Sequence, residues 1–103
     1  MDKNIVSEVT FYPLRITEKG LIGFGGCVFE ERLSLNSIAI YTKPDGSGIR
    51  CLFPVKAIHG GKEIGIYYPI DSLTYNAITT AIEKKVYNVT KMRRNDERYY
   101  PNI

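Results

Sequence analysis

The sequence predicts an α+β fold, in which an antiparallel β-meander of about five strands is followed by one C-terminal helix. Three observations support this prediction. Polar and apolar residues alternate from Ile5 onward, which is the two-residue period of half-buried strands. Turn-forming residues interrupt the alternation at short intervals, so successive strands are expected to pair antiparallel. After Pro69 the apolar residues recur with the period of a helix.

The first three strands are expected at residues 5–16, 21–29 and 33–41. Pro13 has no backbone N–H to donate, so the first strand is predicted to be an edge strand or to contain a bulge. In the third strand the apolar positions change phase between Leu35 and Ile38. Because a change of phase moves side chains to the other face of a sheet, it predicts a β-bulge near Asn36.

The fourth and fifth strands are expected at residues 49–53 and 63–68. The turn before the fourth strand, Pro44-Asp45-Gly46-Ser47-Gly48, combines a proline with glycines that accept a left-handed backbone. Pro54 ends the fourth strand, and His59-Gly60-Gly61-Lys62 is predicted to form the turn into the fifth.

The helix is expected to begin at Asp71 or Ser72, since either side chain can accept a hydrogen bond from the first helical turn. Its buried stripe is predicted to span four to five turns and to consist of Ile78, Ile82, Val86 and Val89. The stripe is lost beyond Lys91. We therefore expect one domain over residues 1–90 and a basic, mobile C-terminal tail over residues 91–103.

Composition predicts a globular protein of the cytoplasm. The hydrophobic fraction is 44% and the charged fraction 24%, values typical of a folded domain of this length. We find no signal peptide at the N-terminus and no apolar run near the roughly 20 residues that span a bilayer, so no membrane partner is expected. Cys27 and Cys51 are either neighbours across a sheet or, as the apolar residues Val28 and Leu52 beside them favour, two buried free thiols.

The sequence favours binding over catalysis. The single histidine, His59, lies in a glycine-rich turn and has no nucleophile placed beside it by the sequence. Residues 23–26, Gly-Phe-Gly-Gly, lack the Gly-Lys-Ser/Thr ending and the following helix of a phosphate-binding loop. We therefore predict no enzyme activity, no cofactor, no metal and no small-molecule substrate.

Basic residues interleaved with tyrosines point to a polyanion. The net charge is +3, and residues 91–103 contribute four Lys/Arg against two Asp/Glu. Lysine and arginine neutralise phosphates and tyrosine rings stack on unpaired bases, although a solvated basic surface is the alternative. The basic candidates for phosphate contact are Lys56, Lys62, Lys84, Lys91, Arg93 and Arg94, with Tyr67 and Tyr68 following the loop lysines.

Several blocks occur in an order and spacing that resemble a known family. They are Glu8-Val9-Thr10 with Leu14-Arg15, Gly20 before a strand of small residues, Asn36-Ser37-Ile38-Ala39-Ile40, Gly48-Ile49-Arg50-Cys51-Leu52-Phe53-Pro54, and Ile66-Tyr67-Tyr68-Pro69-Ile70-Asp71-Ser72 before the helix. Over about residues 8–90 the sequence resembles the SpoVG family (stage V sporulation protein G), the septation regulators of bacteria.

The resemblance implies a compact α+β domain that dimerises through its β-structure and regulates septation, sporulation or gene expression by binding DNA or RNA. It implies nucleic-acid contacts in the loop after Pro54 and on the helix, where Thr74, Tyr75 and Asn76 are candidates to reach bases. At the positions of Ala57 and Ile58 the family has basic residues. This difference favours a second hypothesis, a non-catalytic protein-interaction module that has lost nucleic-acid binding.

Overall fold

The fold consists of a four-stranded sheet, a separate β-hairpin and one long helix. The computed structural model describes the backbone of residues 5–95 and the side chains of residues 5–17 and 19–90. The elements are β1 (Val6–Glu18), β2 (Leu21–Phe29), β3 (Leu33–Thr42), β4 (Ile49–Leu52), β5 (Val55–Ile58), β6 (Lys62–Gly65) and α1 (Ser72–Asn95). Strands β1 to β4 pair antiparallel in chain order, and β5 pairs with β6. The predicted α+β class, with an antiparallel meander before a C-terminal helix, is confirmed.

The strand after Pro54 differs from the prediction. Residues 55–58 were expected to be a link, but they form β5. Its partner β6 begins one residue before the predicted fifth strand, at Lys62, and covers only residues 63–65 of it. β6 is short because it pairs with β5 alone, and β5 has four residues. One further backbone hydrogen bond, from the N–H of Ile66 to the carbonyl of Pro54 at 2.9 Å, closes the base of the hairpin.

The β-bulge predicted near Asn36 is present. Asn36 and Ser37 of β3 together lie opposite the single residue Gly26 of β2. Ser37 has a φ of 65°, and a side chain at Gly26 would collide with the carbonyl oxygen of Leu35. The extra residue shifts the alternation by one position, which brings Ile38 to the side of the sheet that the helix covers.

The core lies between α1 and one face of the four-stranded sheet. The helical stripe was predicted correctly, since Ile78, Ile82 and Val86 are buried and Val89 packs against them. The sheet contributes Phe11, Cys27, Ile38, Ile40, Ile49 and Cys51. Both cysteines are free and buried, as expected, and burial raises the pKa of each thiol.

The helix is longer than the predicted four to five turns. It contains 24 residues and ends at Asn95, so residues 91–95 of the expected tail continue it. Lysine, methionine and arginine favour helix, so the backbone remains helical after the buried stripe has ended. Residues 96–103 lie outside the described residues. Within the described part of the chain, α1 has no segment that is apolar over the length needed to cross a lipid bilayer.

Candidate nucleic-acid interface

The β5–β6 hairpin brings the two predicted loop lysines together. Lys56 pairs with Ile64 and Ile58 pairs with Lys62 across the two strands. Because alternate residues of a strand share a face, these four side chains lie on one side of the hairpin. We call this side the hairpin face and define it as Lys56, Ile58, Lys62 and Ile64.

The hairpin face is open to solvent. All eight residues of β5 and β6 are exposed, including Ile64, which keeps 50% of its accessible surface. Side chains on diagonal positions of an antiparallel pair have Cα atoms about 7–8 Å apart, which is the relation between Lys56 and Lys62. The face therefore presents two neighbouring ammonium groups beside two isoleucines.

The turn at the end of the hairpin is formed by His59, Gly60 and Gly61. Both glycines have positive φ, 86° and 77°, so the turn depends on residues without a side chain. The turn prediction at these residues is confirmed. His59 is exposed at the tip, three positions along the chain from Lys56 and from Lys62.

Tyr67 attaches the hairpin to the main sheet. Its hydroxyl donates a hydrogen bond to the carbonyl oxygen of Asn36 at the bulge. Its ring packs edge-on against the ring of Phe53, with 5.8 Å between the ring centroids. Burial raises the pKa of Tyr67 to about 12. The ring of Tyr68 packs against Gly65 on the side of the hairpin opposite to the hairpin face. Neither tyrosine therefore joins the lysines on the hairpin face.

The predicted N-cap of the helix is Asp71. Its carboxylate oxygen Oδ1 accepts a hydrogen bond from the N–H of Thr74 at 3.0 Å, and its carbonyl oxygen accepts from the N–H of Tyr75 at 3.1 Å. Hydrogen bonding from the side chain of Thr74, and then from its backbone N–H, lowers the pKa of Asp71, because both stabilise the ionised carboxylate. The cap fixes where the helix begins, directly after the segment that follows the hairpin.

Tyr75 connects the helix to the sheet. Its hydroxyl accepts a hydrogen bond from the N–H of Cys51 at 3.2 Å and donates one to the carbonyl of the same residue at 3.3 Å. Its ring also lies edge-on to the ring of Phe53, with 6.1 Å between the ring centroids. This structural role was not predicted, and it engages the Tyr75 hydroxyl with the backbone of β4. Of its two neighbours, Thr74 is partly buried and Asn76 is exposed.

The remaining predicted residues lie along α1. Lys84 is exposed, and it lines the same groove as Asn76 between β1 and the helix. The backbone at Lys91, Arg93 and Arg94 belongs to the last part of α1, and their side chains lie outside the described ones. The described residues therefore place the lysines in two separate groups, one on the hairpin face and one in the groove beside β1.

The side of the main sheet away from α1 carries an apolar row that sequence reasoning missed. Tyr12, Phe24, Ala39 and Leu52 are paired in one line across the four strands, and Tyr12 is 65% exposed. We call these four residues the outer row. The signal for it was in the sequence, because β1 and β4 have apolar residues at adjacent positions, Phe11-Tyr12 and Cys51-Leu52, which point to both faces of a sheet.

The sequence matches no protein-family model and no curated protein.

Proposed function

We propose that the protein is a cytoplasmic regulator of the SpoVG type that binds DNA or RNA, and that the hairpin face is its principal contact surface. The observation that carries the proposal is the pairing in β5–β6. It puts Lys56 and Lys62 on one exposed face, with two isoleucines between the charges. Residues far apart in a loop would present isolated charges, whereas this arrangement presents two neighbouring positive charges on one face, with the carboxylate of Glu63 on the opposite face.

The size and chemistry of the hairpin suit a nucleic-acid groove. The major groove of B-DNA is about 12 Å wide and admits a two-stranded β-ribbon. Lysine ammonium groups on that ribbon bind phosphates and release counterions. Isoleucine is among the side chains that proteins insert at base steps when they bind the minor groove. The hairpin face therefore combines phosphate contact with an apolar surface for sugars or bases.

The same geometry favours duplex DNA over duplex RNA. The major groove of A-form RNA is deep and narrow, and side chains do not reach its bases. A ribbon that must enter a groove will bind such a duplex weakly through phosphates alone. The two duplexes are therefore the most informative pair of ligands for this protein.

We also propose that the protein acts as a homodimer, with the outer row as the contact between copies. Phe24 and Leu52 are 40% and 42% exposed, and with Ala39 between them they lie in one line with Tyr12 across the outer face of the sheet. Pairing of two such faces removes apolar surface from water, which stabilises association. A dimer carries two hairpins, and linked contacts increase the overall affinity for one nucleic acid.

The experiment is a titration of fluorescently labelled duplex DNA, duplex RNA and single-stranded RNA with the protein, followed by anisotropy over a series of salt concentrations. We expect saturable binding with a log–log salt slope of several units, since each neutralised phosphate releases counterions. No binding at low ionic strength, or binding that does not change with salt, contradicts the proposal.

A second candidate function is a protein-interaction module without nucleic-acid binding. The observation that favours it is the exposed apolar surface of the outer row, together with Ile70, which is 92% exposed just before the helix. A module of this kind binds its protein partner regardless of Lys56 and Lys62. Replacement of both lysines by alanine distinguishes the two functions, because only nucleic-acid binding requires them.

A further inference from the structure

An open groove of about 730 Å³ lies between β1 and one side of α1. This volume is within the usual range of about 300–1,000 Å³ for ligand sites. We call it the β1–α1 groove and define it by the residues that line it. More than half of the lining residues are apolar, namely Ile5, Val6, Val9, Leu73, Ala77 and Ala81.

β1 is the edge strand of the main sheet, as Pro13 predicted. Its described residues pair with β2 on one side and with no strand on the other. An edge strand leaves backbone N–H and C=O groups available for another strand. The groove therefore offers two kinds of contact together, hydrogen-bonding backbone along β1 and apolar side chains above it on the helix.

A β-bulge shapes the β1 side of the groove. Glu8 has a φ of 48°, and the pairing with β2 shifts between Ser7 and Thr10. The bulge allows Val6 and Val9, which are three positions apart, to line the same groove. Without the extra residue, strand alternation would direct one of these two valines to the opposite face.

The polar rim of the groove is positively charged. Lys84 and Lys85 are exposed at the rim, and the other polar residues that line it are Asn76, Thr80 and Asn88. The described lining includes no carboxylate, although Glu8 is exposed at the bulge next to Val9. Charge complementarity therefore selects an occupant with acidic groups near the two lysines.

We propose that the β1–α1 groove binds an extended peptide segment of a partner protein, which adds as a strand to the edge of β1. Alternate apolar side chains of the peptide point toward Ala77, Ala81 and Leu73, and an acidic residue meets Lys84 and Lys85. This is the strand-addition mode of peptide recognition, in which backbone hydrogen bonds supply affinity and pockets for alternate side chains supply specificity. The inference does not depend on the proposed nucleic-acid function.

The probe is a synthetic peptide, Glu-Thr-Val-Thr-Val-Thr-Glu, with blocked ends. Its two valines and two glutamates occupy alternate positions and therefore share one face, so an acidic residue reaches the lysines in either strand direction. The full protein is labelled with ¹⁵N and titrated with this peptide. We expect saturable amide shifts concentrated in residues 5–9 and 73–88. No shift at millimolar peptide, or shifts confined to other elements, overturns the proposal.

Two control peptides test the mode of binding without changing the protein. One has lysine in place of both glutamates, and the other has an N-methyl group on the central amides. We expect each to bind about tenfold more weakly or not at all, because the first repels the lysines and the second cannot form the backbone hydrogen bonds. Equal binding of either control overturns strand addition by an acidic peptide.

The protein variant is Lys84→Glu with Lys85→Glu, and the matched control is Lys56→Glu with Lys62→Glu on the hairpin face. We expect only the first pair to weaken the acidic peptide, by about tenfold, while circular dichroism shows both variants folded. Amide shifts of residues 5–9 that depend on protein concentration in the absence of peptide would show that a second copy covers the groove. That result also overturns the proposal.

Discussion

Replacement of both hairpin lysines, Lys56→Ala with Lys62→Ala, should change how nucleic-acid binding depends on salt. Each phosphate neutralised on B-DNA contributes about 0.9 to the log–log slope of affinity against salt. Both lysines are exposed on one face, so each is free to contact a phosphate. The slope should therefore fall by about 1.8 for a single protomer and by about 3.6 for a dimer that uses both hairpins.

The assay is fluorescence anisotropy with labelled duplex DNA at several salt concentrations. Between 50 and 200 mM salt, the wild-type protomer should lose about tenfold more affinity than the variant, which follows from the same slope difference. The matched control is Lys19→Ala with Lys43→Ala, which removes the same charge from two other exposed turns. If the hairpin variant keeps the wild-type slope, or if the control loses as much, the hairpin face is not the contact surface.

Three predictions concern the fold that supports the interface. Tyr75→Phe should lower the free energy of unfolding by about 1–3 kcal/mol in urea denaturation, because the backbone groups of Cys51 lose their partner; an unchanged midpoint would refute this anchoring role. Ile82→Ala should cost about 2–5 kcal/mol by the same assay, since Ile82 is fully buried, and a loss well below this range would contradict the packing of α1. The pKa of Asp71 is lowered, so its ionised carboxylate stabilises the fold at a pH above its ordinary pKa of 3.8, and this stabilisation is lost as the pH falls through the lowered pKa. Asp71→Asn keeps a capping oxygen but does not titrate, so it should remove this part of the pH dependence of the free energy of unfolding. A variant whose stability depends on pH as the wild type does would contradict this role.

Local sequence pattern was sufficient to predict the bulge in β3. Leu35 and Ile38 are three positions apart and both apolar, and only an extra residue between them reconciles this spacing with strand alternation. The structure places that residue at Ser37, in a left-handed conformation. The N-cap at Asp71 was predictable for the same reason, because a short polar side chain before an apolar helical stripe acts within one turn of itself.

The hairpin face could not be predicted in the same way. β5 has four exposed residues after a proline, so it shows neither a buried face nor a long alternation that would mark a strand. It exists because it pairs with β6, and the register of that pair decides that Lys56 and Lys62 share a face. A shift of one residue would place them on opposite sides.

The role of Tyr75 depends on tertiary structure. A tyrosine in the first turns of a helix is compatible with an exposed side chain that reaches a base, which was the prediction. The hydroxyl instead reaches Cys51 on β4, 24 residues earlier in the chain. That contact is fixed by the way α1 lies on the sheet, which the local sequence does not specify.

The most direct test of the proposed function is an amide chemical-shift map of the ¹⁵N-labelled protein with a short duplex DNA at low salt. Our account predicts that the largest shifts occur in β5, β6 and the turn at His59, Gly60 and Gly61, and that added salt reverses them. Shifts confined to the outer row or to the β1–α1 groove, or no shifts at all, would contradict the claim that this protein binds nucleic acid through the hairpin face.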